Sequence, residues 1–229
     1  MSNFLLDRPF SSSVGDYVKA IWDLGGTGAA STKEVSERLL VSPASVSNMF
    51  VRLQEMGLVE YERYRGASLT DLGRVEALRL VRRHRLIETF LLQHLGYSWQ
   101  EVHEEAERLE HAVSDGFTER LAEFLGHPRH DPHGDPIPTA EGILERDDSF
   151  SLSEASAGRR VRIYKVSDED ASMLDYLGER GLVPGRFLTV AEVRDVDAVV
   201  TVEDEEGKLH SLGGPLARAI YVKAIANDG

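Results

Sequence analysis

Cysteine is absent from the 229 residues, and no apolar run approaches the length of a membrane-spanning helix. The lack of cysteine excludes disulfides, thiolate zinc sites and cysteine nucleophiles, so any metal must be held by His, Asp, Glu, backbone or water. A spanning helix needs about 20 apolar residues, and the N-terminal sequence MSNFLLDRPF has neither the basic start nor the apolar stretch of a secretion signal. We therefore expect a cytoplasmic protein that has no membrane partner.

Positive charge is scarce overall, with 26 Lys and Arg against 39 Asp and Glu and a net charge of −13. Such a balance would argue against a nucleic-acid partner, because cations make the phosphate contacts. The charges are segregated, however. Residues 1–85 carry 12 basic and 10 acidic side chains, residues 86–125 carry 2 and 9, and residues 126–229 carry 12 and 20. The segments are therefore expected to have different functions, and the first is not excluded from binding DNA.

Three helices with recognisable start signals are predicted before Gly57. The first follows Ser13 and ends at Gly25-Gly26. Ser31 has the spacing of a capping box with Glu34, which opens the second helix. Ser42-Pro43 provides an N-cap and a proline at the first helical position of the third helix. This third helix carries an apolar stripe at i, i+3, i+4 and i+7, so the second and third helices predict a helix-turn-helix.

A short hairpin is predicted directly after these helices. Leu58-Val59-Glu60-Tyr61 and Ala67-Ser68-Leu69 have the composition of strands, and the basic sequence Arg63-Tyr64-Arg65-Gly66 lies between them. A basic hairpin beside a helix-turn-helix is typical of a wing.

The exposed side of the third helix carries small or short polar side chains, which let a helix lie deep in the major groove and reach base edges or phosphates. The predicted DNA-binding residues are Ser42, Pro43, Ala44, Ser45, Ser47 and Asn48 on this helix, with Arg52, Arg63 and Arg65 as phosphate contacts. The alternative is a helical hairpin whose second helix merely begins with small polar residues.

A long helical hairpin is predicted next. Thr70 caps a helix from about Asp71 to Leu95, and Ser98 with Glu101 opens a helix to about Leu125. His and Glu residues share one side of these helices, namely His84, Glu88, His103, Glu107, Glu110 and His111. A half-buried group of carboxylates and imidazoles is costly without a cation, because like charges repel and burial disfavours ionisation. The pattern predicts a metal site, and the alternative is a solvated helix surface.

The remainder of the chain predicts a connecting region and a small β domain. Residues 127–138 contain four prolines and one glycine, so they are expected to form a loop. The prolines fix an extended backbone that separates His127, His130 and His133, which favours a structural role for these histidines over metal binding. Residues 141–157 are expected to be a linker. Strands are predicted at residues 160–164, 187–190 and 199–202, with a helix at about residues 173–179.

These motifs resemble those of the iron-dependent repressor family, also called DtxR/MntR. Five of them occur in order over about residues 12–140. They are Ser42-Pro43-Ala44-Ser45-Val46-Ser47-Asn48, Leu69-Thr70-Asp71-Leu72-Gly73, Arg83-His84-Arg85-Leu86-Ile87-Glu88, the stretch from Val102 to His111, and Pro132-His133-Gly134-Asp135-Pro136-Ile137-Pro138. From about Gly158, the chain is similar to the SH3-like (FeoA-type) third domain of longer members, most clearly at Leu182-Val183-Pro184-Gly185.

The resemblance implies a mainly α N-terminal part, made of a winged helix-turn-helix and a helical dimerisation domain, followed by a small SH3-like β-barrel. The expected divisions are a DNA-binding domain at 1–73, a metal-binding and dimerisation domain at 74–140, a linker at 141–157 and the SH3-like domain at 158–229. The implied function is a homodimeric transcriptional repressor of metal-homeostasis genes, in which metal locks the arrangement that binds a palindromic double-stranded DNA operator. No enzymatic activity is expected.

The family's metal ligands carry over onto particular positions. Asp16, Glu107, Glu110 and His111 match the primary site, and His84, Glu88 and His103 match the ancillary site. The resemblance also implies ligands from the third domain, for which Asp168 and Glu169 are the nearest candidates. Iron-type members have Cys at position 107 and Met at position 16, so both changes are toward the manganese-type pattern. Lys19, in contrast, replaces a further Glu of manganese-type members.

Oxygen and nitrogen ligands without sulfur suit Mn(II) or Fe(II), and Zn(II), Co(II) or Cd(II) are expected to substitute in vitro. Two other functions remain open at this point. One is a metal-independent winged-helix regulator that senses an organic ligand, and the other is a metalloenzyme that uses the His/Glu cluster. No nucleophile, general-base pair or phosphate-binding loop supports the enzyme.

Overall fold

The structure, a computed structural model, describes residues 11–25, 28–168, 170–194 and 196–225. It divides into two compact units. The first unit comprises the residues up to His84 together with Glu110–Val113 and Pro138–Leu144. The second unit comprises Arg85–Leu109, Ser114–Ile137 and the chain from Glu145 onward. Glu169, a predicted metal ligand, lies outside the described residues.

The first unit contains the predicted winged helix-turn-helix. Its elements are α1 (Ser12–Gly25), α2 (Thr32–Leu39), α3 (Pro43–Glu55), β1 (Val59–Glu62) and β2 (Gly66–Leu69). The helices α1, α2 and α3 pack on one another around a shared apolar core. The start signals are confirmed, because Ser31 and Glu34 form both hydrogen bonds of a capping box and the Ser42 hydroxyl accepts from the Ser45 amide. Helix α1 begins one residue earlier than the serine that the sequence indicated.

The wing is attached to the helices by a close backbone approach. β1 and β2 pair antiparallel, and Ala30 exchanges two backbone hydrogen bonds of 2.9 Å with Ala67. Gly66 has a φ of +103°, and a Cβ at that position would lie 2.2 Å from the Ala30 carbonyl oxygen. Only glycine fits such a contact, so Gly66 fixes the wing against the segment that precedes α2.

The helical hairpin differs from its prediction at one place. Helix α4 (Asp71–Leu95) is continuous and begins after Thr70, whose hydroxyl accepts from the Gly73 amide. The helix predicted from Ser98 to Leu125 is instead two helices, α5 (Val102–Leu109) and α6 (Asp115–Phe124). Ser114 caps α6 by accepting from the Phe117 amide. Residues 110–113 are therefore not helical, and the expectation of one continuous ligand-bearing helix face was wrong.

The second unit contains an antiparallel sheet of six strands in the order β3-β8-β4-β5-β6-β7. The strands are β3 (Phe150–Ser151), β4 (Arg160–Val166), β5 (Phe187–Arg194), β6 (Val199–Asp204), β7 (Leu209–Leu212) and β8 (Ile220–Ala224). Helices α7 (Ala171–Glu179) and α8 (Gly214–Ala219) belong to the same unit. Alternate residues along the strands point into one apolar core, which Val161, Ile163, Leu188 and Val202 help to form.

Part of the predicted linker belongs to this sheet. Phe150 and Ser151 pair with Val222 and Tyr221 of β8, and Leu152 is completely buried in the sheet's core. The expectation of a linker up to residue 157 was therefore wrong from Phe150 onward. Strands β3, β7 and β8 and helix α8 were not predicted, because each is short and its sequence carries no long alternation. Within the described ranges, no helix combines the length and the apolar character that crossing a membrane requires.

Candidate functional site

Three of the predicted metal ligands meet inside the first unit. Asp16 is on α1, and Glu110 and His111 are in the non-helical segment that ends α5. His111 Nε2 lies 2.7 Å from Asp16 Oδ1 and 3.5 Å from Glu110 Oε1. One ligand atom from each of the three residues can be chosen so that all lie within 4.8 Å of one another, which is the spacing of a metal-binding group. We refer to Asp16, Glu110 and His111 as the first cluster.

The break between α5 and α6 positions two members of the first cluster. Arg83 Nη1 donates to the Glu110 carbonyl oxygen at 2.9 Å, which holds the non-helical segment against α4. Gly15 allows α1 to approach, because a Cβ there would lie 3.2 Å from His111 Cε1. A side chain at position 15 would therefore require His111 or Leu80 to shift by a few tenths of an ångström.

The Glu110 carboxylate is completely buried, and only one of its two oxygens makes hydrogen bonds to residues that the structure describes. Its Oε2 lies 2.6 Å from His84 Nδ1 and accepts from Lys19 Nζ at 3.0 Å. Burial raises the pKa of Glu110, but the hydrogen bond from His84 and the charge of Lys19 outweigh it, so the net pKa lies below its usual value. Glu110 Oε1 has no hydrogen-bond partner among the described residues. A buried, ionised oxygen without a donor is a site at which a cation would be stabilised.

His84 was predicted to belong to the ancillary site, and its contact in the first unit is with Glu110. His84 Nδ1 also lies 3.2 Å from Lys19 Nζ. Because Glu110 Oε2 can only accept, the 2.6 Å contact requires a proton on His84 Nδ1.

A second cluster lies inside the second unit, where five acidic and imidazole side chains converge. Its members are Glu88, His103, Asp131, His133 and Asp168. His103 Nδ1 lies 3.2 Å from both Glu88 Oε1 and Asp168 Oδ2. Burial lowers the pKa of His103, but the hydrogen bonds and charges of Asp168 and Glu88 raise it to about 10. His103 is thus held as a cation between two carboxylates.

Glu107 is in the second unit near His103, with Oε1 at 3.8 Å from His103 Nε2. It is 40% exposed, unlike the completely buried Glu88. The assignment of Glu107 to the same site as Asp16, Glu110 and His111 rests on the sequence alone.

Asp131 and His133 were not predicted as ligands, and the structure brings both to Glu88. His133 is completely buried, and its ring stacks on Trp99. Its Nε2 lies 3.1 Å from the Trp99 carbonyl oxygen, which can only accept, so Nε2 carries the proton. His133 Nδ1 lies 4.0 Å from Glu88 Oε1 and has no hydrogen-bond partner among the described residues. An imidazole whose distal N–H is held by a backbone carbonyl is the usual form of a metal-ligating histidine.

The Asp131 carboxylate shapes the loop that carries His133. Its Oδ1 accepts from the His133 and Asp135 amides at 2.8 and 3.0 Å, and Arg85 lies 3.4 Å from its Oδ2. Burial and the charges of Glu88 and Asp135 nevertheless raise the pKa of Asp131 well above its usual value. The raised pKa shows that ionisation of Asp131 is unfavourable so close to Glu88 and Asp135, a repulsion that a divalent cation would relieve.

The predicted DNA-binding residues form one exposed surface of the first unit. Ser42, Pro43, Ala44, Ser45 and Asn48 are exposed on α3, and Ser47 is half-buried. The Ser42 hydroxyl is held by the cap and by Ser45 Oγ at 2.9 Å. The Asn48 amide makes no hydrogen bond within the part of the chain that the structure describes, so its donor and acceptor are available to a base edge.

Arg52, Arg63 and Arg65 are exposed as well, the last two at the wing tip. Arg65 is paired with Glu62 at 3.0 Å, which reduces the positive charge it presents. Between the two arginines, Tyr64 is 92% exposed at a φ of +71°. The Arg63 guanidinium lies over its ring at 5.1 Å from the centroid. The sequence did not single out Tyr64, although the basic tip around it was recognised.

Family comparisons divide the chain into three matching regions. Residues 9–67 match the iron dependent repressor N-terminal DNA binding domain, and residues 70–139 match the iron dependent repressor metal binding and dimerisation domain. Residues 150–224 match the FeoA domain.

Among curated proteins, the chain is 30% identical over 225 residues to the iron-dependent repressor IdeR of Mycobacterium tuberculosis strain H37Rv, covering 91% of this chain and 96% of that protein. It is 29% identical over 217 residues to the diphtheria toxin repressor of Corynebacterium diphtheriae, with coverage of 91% and 96%.

Solved structures also match the chain over more than nine-tenths of its length. A manganese-dependent transcriptional repressor in complex with manganese is 41% identical with a TM-score of 0.87, covering 93% of this chain and 100% of that chain. ScaR with bound Zn²⁺ is 38% identical with a TM-score of 0.79, covering 93% and 99%. IdeR of T. acidophilum is 30% identical with a TM-score of 0.75, covering 92% and 97%.

Proposed function

The chain belongs to the iron-dependent repressor family of metal-dependent, DNA-binding transcriptional regulators, and we propose that its activating metal is held by the first cluster. The observation that carries the proposal is the position of Asp16. Its helix α1 packs against α3, the helix that presents the DNA-binding surface, while its carboxylate meets His111 at 2.7 Å. Asp16 thus connects the cluster to the DNA-reading helix.

The donor atoms of the first cluster fit a divalent cation. Two carboxylates and one imidazole supply oxygen and nitrogen, and Glu110 Oε1 has no hydrogen-bond partner in the described residues. Donors without sulfur suit Mn(II) or Fe(II), and Zn(II), Co(II) or Cd(II) can occupy such a site in vitro. We propose Mn(II) or Fe(II) as the metal used by the protein.

When bound, the metal supplies two positive charges and coordination positions that hold Asp16, Glu110 and His111 together. Asp16 then fixes α1, and the packing of α1 on α3 restrains the DNA-reading helix. Metal favours DNA binding only through its higher affinity for this arrangement. A coupling of about 1–3 kcal/mol corresponds to DNA binding that is roughly 5- to 150-fold tighter.

Crystals grown with Mn(II) test the ligand assignment directly. Anomalous scattering is expected to show an ion in ligating contact with Asp16, Glu110 and His111. An ion bound elsewhere in the chain, with none at these three residues, would contradict the assignment.

We propose the second cluster as a further metal site, with His133 and Glu88 as ligands and Asp131 and Asp168 as the remaining carboxylates. The support is His133 Nδ1, which lies 4.0 Å from Glu88 Oε1 without a hydrogen-bond partner among the described residues, together with the raised pKa of Asp131. His103 is positively charged in the metal-free arrangement, so it must lose its proton or move before it shares the site with a metal. Both clusters would serve regulation and not catalysis.

His133→Phe is expected to weaken metal binding at the second cluster by at least about ten-fold, because it removes a ligand nitrogen but keeps an aromatic ring beside Trp99. Calorimetric titration with Mn(II) measures the number and affinity of the bound ions. His127→Phe is the matched control, since His127 is exposed in the same loop. Identical titrations for wild type and His133→Phe would remove His133 from the site.

DNA recognition is proposed to use the α3 surface and the wing. Ser45 and Asn48 would contact bases, while Arg52, Arg63 and Arg65 would contact phosphates. We propose that the protein acts in the cytoplasm. It would bind a palindromic operator as a homodimer, because two symmetry-related helices read two half-sites about one helical turn apart.

The proposed dimer surface is an exposed apolar patch of the second unit. Leu95, Phe117 and Phe124 are 55%, 49% and 63% exposed, and Phe90 and His94 of α4 pack against Phe124. Exposed large apolar side chains of this kind favour association with a second copy. It lies within the region that matches the metal binding and dimerisation domain, residues 70–139. From the bounds of the matched regions, we also propose that the DNA-binding domain ends near residue 73 and that the metal-binding and dimerisation domain ends near residue 140.

A further inference from the structure

Lys19 places a positive charge inside the first cluster. Its Nζ donates to Glu110 Oε2 at 3.0 Å and lies 3.2 Å from His84 Nδ1. Its side chain is only 13% exposed, although lysine is among the side chains that are most often solvated. Asp16 and Lys19 are three residues apart on α1, so both face the same segment from one side of the helix.

The ammonium group offsets a charge that would otherwise be costly. Glu110 is completely buried, and an uncompensated buried carboxylate is strongly destabilising. His84 Nδ1 lies 2.6 Å from Glu110 Oε2, and Lys19, whose amine is ordinarily a cation at neutral pH, contacts the same oxygen at 3.0 Å. The metal-free cluster is therefore held together by a cation that belongs to the protein itself.

A divalent metal would compete with this ammonium for the same carboxylate. Two cations within a few ångströms repel each other strongly where water is scarce. Lysine has a flexible four-carbon stem, so its charge can withdraw toward solvent while its backbone stays in α1. Metal binding at Glu110 Oε1 would therefore place two cations on one carboxylate, which favours withdrawal of Lys19 from Oε2.

We propose that Lys19 is a tethered cation that occupies Glu110 until a divalent metal displaces it, and that it thereby sets the metal concentration at which the protein responds. The inference rests on the proposed metal site at Asp16, Glu110 and His111. It assigns to Lys19 a role in tuning affinity, in place of a role as a ligand or as a purely structural ion pair.

The test replaces Lys19 by leucine, which removes the charge and offers no ligand atom. Competition between the full-length protein and a fluorescent chelator measures the Mn(II) affinity, and thermal unfolding is followed with and without Mn(II). For Lys19→Leu, the dissociation constant at the first cluster is expected to fall roughly ten-fold or more, because metal no longer displaces an ammonium group. The metal-free protein is expected to unfold at a lower temperature, and Mn(II) should restore most of the loss.

Three further variants control the experiment. Lys19→Arg keeps the charge and is expected to bind Mn(II) like the wild type. Lys19→Gln removes the charge but keeps a donor, so it should bind more tightly even if Lys19→Leu folds poorly. Lys33→Leu removes a lysine that is 84% exposed on α2 in an ion pair with Glu37, and it should change neither measurement.

Two results would overturn the proposal. Equal loss of stability with and without Mn(II), at an unchanged dissociation constant, would show that Lys19 is only a structural ion pair. Weaker Mn(II) binding in both uncharged variants would show that Lys19 assists the metal. Failure of the metal site itself is distinguishable, because Mn(II) binding would then also be unchanged in Glu110→Gln.

Discussion

Glu110→Gln is expected to abolish the stimulation of DNA binding by Mn(II). The wild type should bind DNA roughly 5- to 150-fold more tightly with metal than without it, for a coupling of about 1–3 kcal/mol, and the variant should show a ratio near one. The amide has the shape of the carboxylate but lacks its charge, so the cluster loses the buried anion to which Lys19 and His84 now bind. Fluorescence anisotropy of a labelled operator duplex, with Mn(II) or with chelator, measures the ratio.

Glu104→Gln is the matched control for this experiment. Glu104 is 76% exposed on α5 and pairs with Arg108, so the same substitution removes a solvated charge. The control should keep the full response to metal, and circular dichroism should show that Glu110→Gln remains folded. A Glu110→Gln protein that still responds to Mn(II) like the wild type would contradict the assignment of the activating site.

Asn48→Ala is expected to lower affinity for the operator by about 1–3 kcal/mol, or roughly 5- to 150-fold, if its amide makes a bidentate base contact. Binding to unrelated DNA should change little, because phosphate contacts supply that affinity. The unfolding temperature should stay the same, since Asn48 is exposed and its side chain makes no hydrogen bond within the described residues. The measurement compares affinities for an operator selected from random duplexes and for a scrambled duplex.

Arg52→Ala gives the complementary result for a phosphate contact. It should weaken binding to both duplexes and lower the slope of log affinity against log salt by about one. If Asn48→Ala footprinted normally and selected the same bases as the wild type, the base-reading role of Asn48 would be wrong.

Local signals predicted the DNA-binding half of the fold well. The capping box at Ser31 and Glu34, the cap at Ser42 and the wing strands each depend on residues close together in sequence. Such elements can be predicted because their hydrogen bonds are local. Thr70 is a further local signal, because its hydroxyl caps the start of α4 as expected.

The break between α5 and α6 was missed because helical periodicity continues across it. Ser114 is the residue that carries the signal, since its hydroxyl caps α6. The cost of interrupting the helix is offset by contacts that are distant in sequence, including the hydrogen bond from Arg83 to the Glu110 carbonyl. Periodicity alone does not report such contacts, and so the predicted ligand face was drawn on a helix that ends at Leu109.

The sequence favoured a structural role for His133 because the surrounding prolines were expected to keep the loop extended. The loop instead turns back on itself, with an antiparallel bridge between His130 and Pro136 and with Asp131 accepting two backbone hydrogen bonds. An aspartate two residues before His133 was the available signal for such a turn. Its meeting with Glu88 of α4, a residue 45 positions earlier in the chain, could not be predicted from the local sequence.

The central claim is that metal bound at the first cluster controls DNA binding. It is tested most directly by titrating Mn(II) into chelator-treated protein while operator affinity is measured at constant ionic strength. We predict that affinity rises roughly 5- to 150-fold and that half of the rise occurs at the Mn(II) concentration that half-fills the site of Asp16, Glu110 and His111. Equal operator affinity with saturating Mn(II) and with excess chelator would contradict the claim and would favour a regulator that senses an organic ligand.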